Sequence, residues 1–96
     1  ADRSGTSGMP RFNGVNTQTG NLVLAVGFLD DDNVASTVTA QTGYTLLGAV
    51  DSAATGAGIC LMVSYKVAES SYEQPDIFNG SGSDYYVGWT LDGQVA

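Results

Sequence analysis

Apolar side chains occupy every second position in three stretches of this chain, and in the first of them the positions between are apolar or small as well. Residues 20–32 read GNLVLAVGFLDDD: a Gly/Asn turn, an apolar run and three successive carboxylates. Leu22, Leu24, Val26 and Phe28 form one parity, and Val23, Ala25, Gly27 and Leu29 the other. A run this short, with a glycine inside and no charge at helical spacing, predicts a central strand covered on both faces. Residues 59–68 (ICLMVSYKVA) predict the cleanest strand, with Ile59, Leu61, Val63, Tyr65 and Val67 on one face and Cys60, Met62, Ser64, Lys66 and Ala68 on the other. Residues 85–91 (YYVGWTL) alternate again, which predicts Tyr85, Val87, Trp89 and Leu91 inward and Tyr86, Gly88 and Thr90 outward.

The remaining chain supplies turns and weaker strands. Residues 44–50 (YTLLGAV) predict a strand broken or bulged at Gly48, and residues 34–39 (VASTVT) a half-exposed strand or irregular extended segment. Pro75 cannot donate to a ladder, so residues 76–78 form at most a short edge strand. Residues 51–58 (DSAATGAG) carry no large side chain, as in a flexible hairpin loop or a surface pressed flat on a neighbouring subunit. With no helical period and no internal repeat, the pattern predicts an all-β fold: a small antiparallel β-sandwich, jelly-roll-like, spanning residues 16–96. Residues 1–15 are expected to be an N-terminal arm or linker, with Phe12 and Val15 capping the core edge. The expected inner faces hold Leu22, Leu24, Val26, Phe28, Leu46, Ile59, Leu61, Val63, Val87 and Trp89.

Composition narrows the function. Ninety-six residues support one thin core, and 43% hydrophobic with 14% charged residues is a globular balance. Three basic residues against ten acidic ones give a net charge of −7. That excludes the basic footprint a nucleic-acid partner requires and disfavours anionic membranes. No apolar run reaches the roughly 18 residues of a spanning helix, so membrane insertion is not expected. The single Cys60 forms no internal disulfide, and its apolar setting marks it as a buried small hydrophobe. A chain without an initiator methionine, whose last apolar run stops close to its end, is expected to be a piece of a longer one.

Three segments in order, TGNLVLAVGFLDDD (19–32), TGYTLLGAV (42–50) and MVSYKVAE (62–69), resemble a β-sandwich module of bacteriophage virion proteins, especially tail fibres and other appendages. That family's pattern runs approximately GDLLLAFVA…D, PAGWTLL and YKVA. Here Asn21 replaces the usual acidic residue, Tyr44 stands where Trp is common, and Thr42 replaces the proline. The resemblance covers about half of the chain and consists of strand cores and turns. It implies a viral structural protein located in the virion, a tail-fibre or capsid-decoration module, while the thin core, the polar arm and the small-residue loop at 51–58 lead to the expectation of a homo-oligomer stabilised by identical or neighbouring virion subunits. It implies no catalytic residue and no cofactor.

The candidate sites are few. Asp30, Asp31 and Asp32, followed by Asn33, offer hard oxygen ligands of the kind calcium takes, with Asp51 and Asp84 able to complete a site if their loops converge. The spacing does not match an EF-hand, and a solvated turn accounts for the same residues. Tyr44, Tyr65, Tyr72, Tyr85, Tyr86 and Trp89 raise the alternative of a secreted or surface carbohydrate-binding module that takes a host-surface glycan, although core packing or a subunit interface explains the same rings. The chain contains no histidine, and its acids all fall in expected turns, so it is not expected to be an enzyme.

Overall fold

The protein is described here by a computed structural model covering residues 2–53 and 55–94, so Ala1 of the expected arm and Ala54 of the small-residue loop lie outside the described residues. In chain order the strands are β1 (Asp2–Gly5), β2 (Val15–Asn16), β3 (Leu22–Leu29), β4 (Thr45–Asp51), β5 (Cys60–Val67), β6 (Tyr72–Glu73) and β7 (Tyr86–Gly93), with a 3-10 turn at Ala35–Thr37. β1, β7, β3, β5 and β4 form one antiparallel sheet in that order, and β2 pairs with β6 in a two-stranded ribbon. The fold is the small all-β sandwich that the alternation predicts. The expected bulge in β4 is present, as a register shift between Leu46 and Gly48.

β3 is the middle strand and pairs along its whole length, Leu22 with Val67 and Gly93, Leu29 with Cys60 and Tyr86. Directly opposed residues share a face. One face therefore carries Val23, Ala25, Gly27 and Leu29 of β3, Cys60, Met62 and Ser64 of β5, and Tyr86, Gly88 and Thr90 of β7; all of these are buried. Over them lie Met9, Pro10 and Phe12, the valines at 34 and 38 that flank the 3-10 turn, and Phe78.

The expected orientation of the strands is therefore reversed. Leu22, Leu24, Val26, Phe28, Ile59, Leu61, Val63, Val87 and Trp89 lie away from the core, half-buried or exposed, and of the ten residues expected inside only Leu46 packs against it. Tyr86 is buried and Tyr85 exposed, again the opposite of the expectation. The reason is steric. The layer over the sheet is mostly irregular chain, and its backbone runs close to the strands. A Cβ at Gly27 would lie 2.9 Å from the Pro10 ring, and one at Gly88 would collide with the Arg11 carbonyl oxygen and come within 3.0 Å of the Phe12 ring. The small residues of this floor, Ala25, Gly27, Cys60, Ser64 and Gly88, leave room for large side chains from above. Phe12 and Phe78 fill that space edge to face, their centroids 5.6 Å apart.

The division at residue 15 is revised for the same reason. Residues 2–5 pair with β7 from Tyr86 to Trp89, and Met9, Pro10 and Phe12 are core, so this segment is part of the sandwich. Residues 76–78 form no strand, because Phe78 turns into the core and Asn79 makes a single bridge to Thr39. Residues 35–37 form the 3-10 turn, held at its start by Asp51, whose carboxylate accepts the Val34 and Ala35 N–H groups at 3.0 and 3.1 Å.

Polar links fasten the cover to the sheet. Thr90 donates to the Asn13 carbonyl at 2.6 Å and Ser64 to Gln41 Oε1 at 2.7 Å, and within the cover Gln74 donates to the Phe12 carbonyl at 3.0 Å. Lys66, on the covered face of β5, donates to Glu73 Oε1 at 3.2 Å, while the Glu69 N–H donates to Glu73 Oε2 at 2.9 Å. The Glu69 N–H, joined by Lys66 and Ser70, holds the Glu73 carboxyl below the usual glutamate range, and the hydrogen bond to Glu73 raises Lys66 above the usual lysine range. A depressed carboxyl stabilises the fold above its unfolded value of about 4.3, and that contribution is lost as pH falls through the folded value. Thermal melts between neutral pH and pH 3 are therefore expected to lose stability on the acid side. Glu73→Gln should lower the melting temperature at pH 7 and flatten that acid limb.

Candidate assembly face

The second face of the large sheet has no cover from the described residues. Its rows follow from the register. Trp89, Val26, Val63 and Gly48 make one row, and Val87, Phe28, Leu61 and Val50 the next. Leu91, Leu24, Tyr65 and Thr45 make a third, and Leu22 with Val67 a fourth. Phe28 and Trp89 meet edge to face at 5.3 Å and 89°. Phe28 retains 37% of its surface in contact with solvent, Leu91 46%, Val67 55% and Val50 61%. Isolated exposed apolar residues are ordinary, but a contiguous face of them is what marks interaction sites.

Charge is distributed to match. Among the described strand residues of this sheet, only Asp2, at the β1 edge opposite Trp89, places a charged residue on the open face. Arg3, Lys66, Asp51 and Asp92 pair in register with covered-face residues. Asp92 there accepts from Thr17 at 2.6 Å and Asn21 at 3.2 Å. The other acids lie in loops or on the ribbon.

The carboxylates proposed from the sequence do not converge. Asp31 accepts the Asp32 N–H at 2.9 Å and the Ser83 N–H at 3.3 Å, which ties two loops together. Asp32 packs beside Gly58, Asp51 caps the 3-10 turn, and Asp84 accepts the Tyr85 N–H at 2.7 Å. Among the described residues, no three His, Cys, Asp or Glu side chains are placed to hold a metal ion. Asp31 joins the segment at Asp30, Asp31 and Asp32 to the loop at Ser83, and millimolar calcium is expected to leave the melting temperature unchanged. A rise abolished by Asp31→Asn would restore the metal site.

The aromatic candidates divide three ways. Tyr44 is half-buried with Lys66 Nζ 5.9 Å from its ring centroid, and Tyr86 is in the core. Tyr65 and Trp89 lie on the open face. Tyr72 is exposed on the ribbon, and Tyr85 stands 62% exposed at one end of the open face. There Tyr85, Trp89, Phe28 and Ile59 border a concavity of about 610 Å³, with Asp30 and Ser4 at its margin. A second apolar concavity of about 290 Å³ lies between β4 and β5, lined by Leu47, Val50, Leu61 and Val63.

Cys60 is fully buried beneath the cover, and burial, with Asp51 and Asp31 nearby, pushes its thiol up to about 11. Reactivity requires thiolate. A maleimide at neutral pH is expected to leave the native chain unmodified and to label it fully in denaturant.

Sequence reasoning did not assign this face as exposed. The signal was nevertheless present: β3 is apolar at both parities, which calls for two covers, and the described residues supply only one. No family model, curated protein or solved structure matches the chain.

Proposed function

We propose that this chain is a non-enzymatic structural module that works by assembly, in a phage virion as part of a tail fibre, similar appendage or capsid decoration. The observation that carries the assembly role is the apolar face of the large sheet, which the described residues leave uncovered and on which Asp2, at the edge, is the only charge among the described strand residues. An isolated chain pays for that exposure in solubility, and burial against a partner removes it from water at roughly 25 cal/mol per Å². The virion setting is supported by the resemblance of residues 19–32, 42–50 and 62–69 to modules of that kind. Sedimentation across a concentration series, with a glycan array in parallel, tests the role. Concentration-dependent association without glycan binding is the expected result. Electron microscopy of the native assembly tests the virion setting.

One observation favours a second reading, a carbohydrate-binding module. The exposed Tyr85 ring stands beside a concavity that also holds Trp89 and has Asp30 at its margin, and sugar sites combine flat rings with polar partners. Specific glycan binding by a chain that remains monomeric, lost in Tyr85→Ala, would establish this reading in place of assembly.

A further inference from the structure

We infer that the open face of the large sheet is closed by the same face of a second copy of this chain, sheet on sheet, about a two-fold axis near Val26. This rests on the assembly role proposed above and adds the identity of the partner.

Area is the first ground. Five strands about 4.8 Å apart, three of eight residues, β4 of seven and β1 of four, at about 3.4 Å per residue make a footprint of about 570 Å². Once the relief of the side chains is added, that is on the order of the 800 Å² each partner contributes to a stable interface. The face as it stands is therefore sized for one partner face of equal extent. A second copy offers such a face without any further surface having to be invented.

Charge is the second ground. At net charge −7 two copies repel, and most surfaces of the molecule carry part of that charge. Among the described strand residues only Asp2 places a charge on the open face, at the edge strand, and Asp30 adds one at the end of the face just beyond β3. Docking through this face keeps Asp31, Asp32, Asp51 and Asp92 off the contact and leaves Asp30 at its end, whereas docking through the loops or the ribbon opposes like charges. Two such faces packed together make a sandwich with a spacing of about 10 Å between sheets. A two-fold contact is self-complementary and closes at two copies. The middle of the face lies at Val26 in β3, flanked by Val63 and Trp89, so an axis through the middle places Val26 beside its own counterpart.

Val26→Lys tests this on the whole chain. The substitution reduces the net charge from −7 to −6, so any weakening comes from burying the ammonium and not from added repulsion. The wild-type chain is expected to sediment as a dimer at tens of micromolar. Val26→Lys should weaken the dimer at least about 100-fold while its far-ultraviolet circular dichroism stays unchanged. As an independent measurement, Val26→Cys should be joined into covalent dimers by a short bis-maleimide. Ser36→Cys, exposed in the 3-10 turn on the covered side, should not, and the buried Cys60 is silent in both. If Val26→Lys fails to fold, the cross-linking decides alone. Association that survives Val26→Lys, or cross-linking equal at both cysteines, overturns the face-to-face dimer and leaves the assembly role standing through another surface. A wild-type chain that stays monomeric at these concentrations overturns the second copy as partner, and if it also binds glycan the assembly role falls with it.

Discussion

Phe12→Ala is expected to cost about 3–5 kcal/mol, the usual range for removing a buried phenylalanine ring. The ring is only 1% exposed, packs edge to face on Phe78 and lies over Gly88, where no other side chain can replace it. A domain of this size has about 5–15 kcal/mol of stability in total, so the variant should be largely unfolded or melt far below the wild type. Urea denaturation followed by circular dichroism measures the effect. The informative comparison is Trp89→Ala. The alternation places Trp89 in the core, but the structure leaves it half-exposed against Phe28. Its loss should cost well under half as much in dilute solution, since an edge-on aromatic pair contributes only about 0.5–1.5 kcal/mol beyond its buried area. A Trp89→Ala chain that unfolds while Phe12→Ala melts normally would show that the sheet presents its other face to the core.

Gly88→Ala is expected to be as damaging, although it adds a single methyl group. That carbon meets the Arg11 carbonyl oxygen and the Phe12 ring, both parts of the segment that covers the sheet. Backbone does not yield as a flexible side chain does, so the covering segment must lift and the core beneath it opens. Overpacking typically costs about 1–3 kcal/mol, and a clash with main chain belongs at or above the top of that range. Gly48→Ala is the control. Nothing lies within 4 Å of a Cβ there, and an alanine in a strand should be neutral or slightly stabilising. Equal melting of Gly88→Ala and wild type would mean that residues 9–12 do not lie on the sheet as described.

The two substitutions isolate what the linear pattern contains. Strand positions were legible in it because alternation, Gly/Asn turns and β-branched runs are local properties of the backbone. β3, β5 and β7 fall within one or two residues of their expected places, and the β4 bulge falls where Gly48 marks it. The acidic balance, the absence of histidine and the single cysteine were equally readable, because composition needs no fold. The direction each strand faces was not. Leu22, Leu24, Val26 and Phe28 are together bulkier than Val23, Ala25, Gly27 and Leu29, which are mostly smaller, and size alone argues for placing the first set inside. Inward direction is decided by what lies opposite, and only the tertiary structure brings residues 9–12 and Phe78 across the sheet. Their bulk selects the parity with small residues and leaves the large one open. The same separation in sequence hid the candidate site, since Val26, Val63 and Trp89 become neighbours only through β-pairing, and their lack of cover shows only once the rest of the chain has been placed.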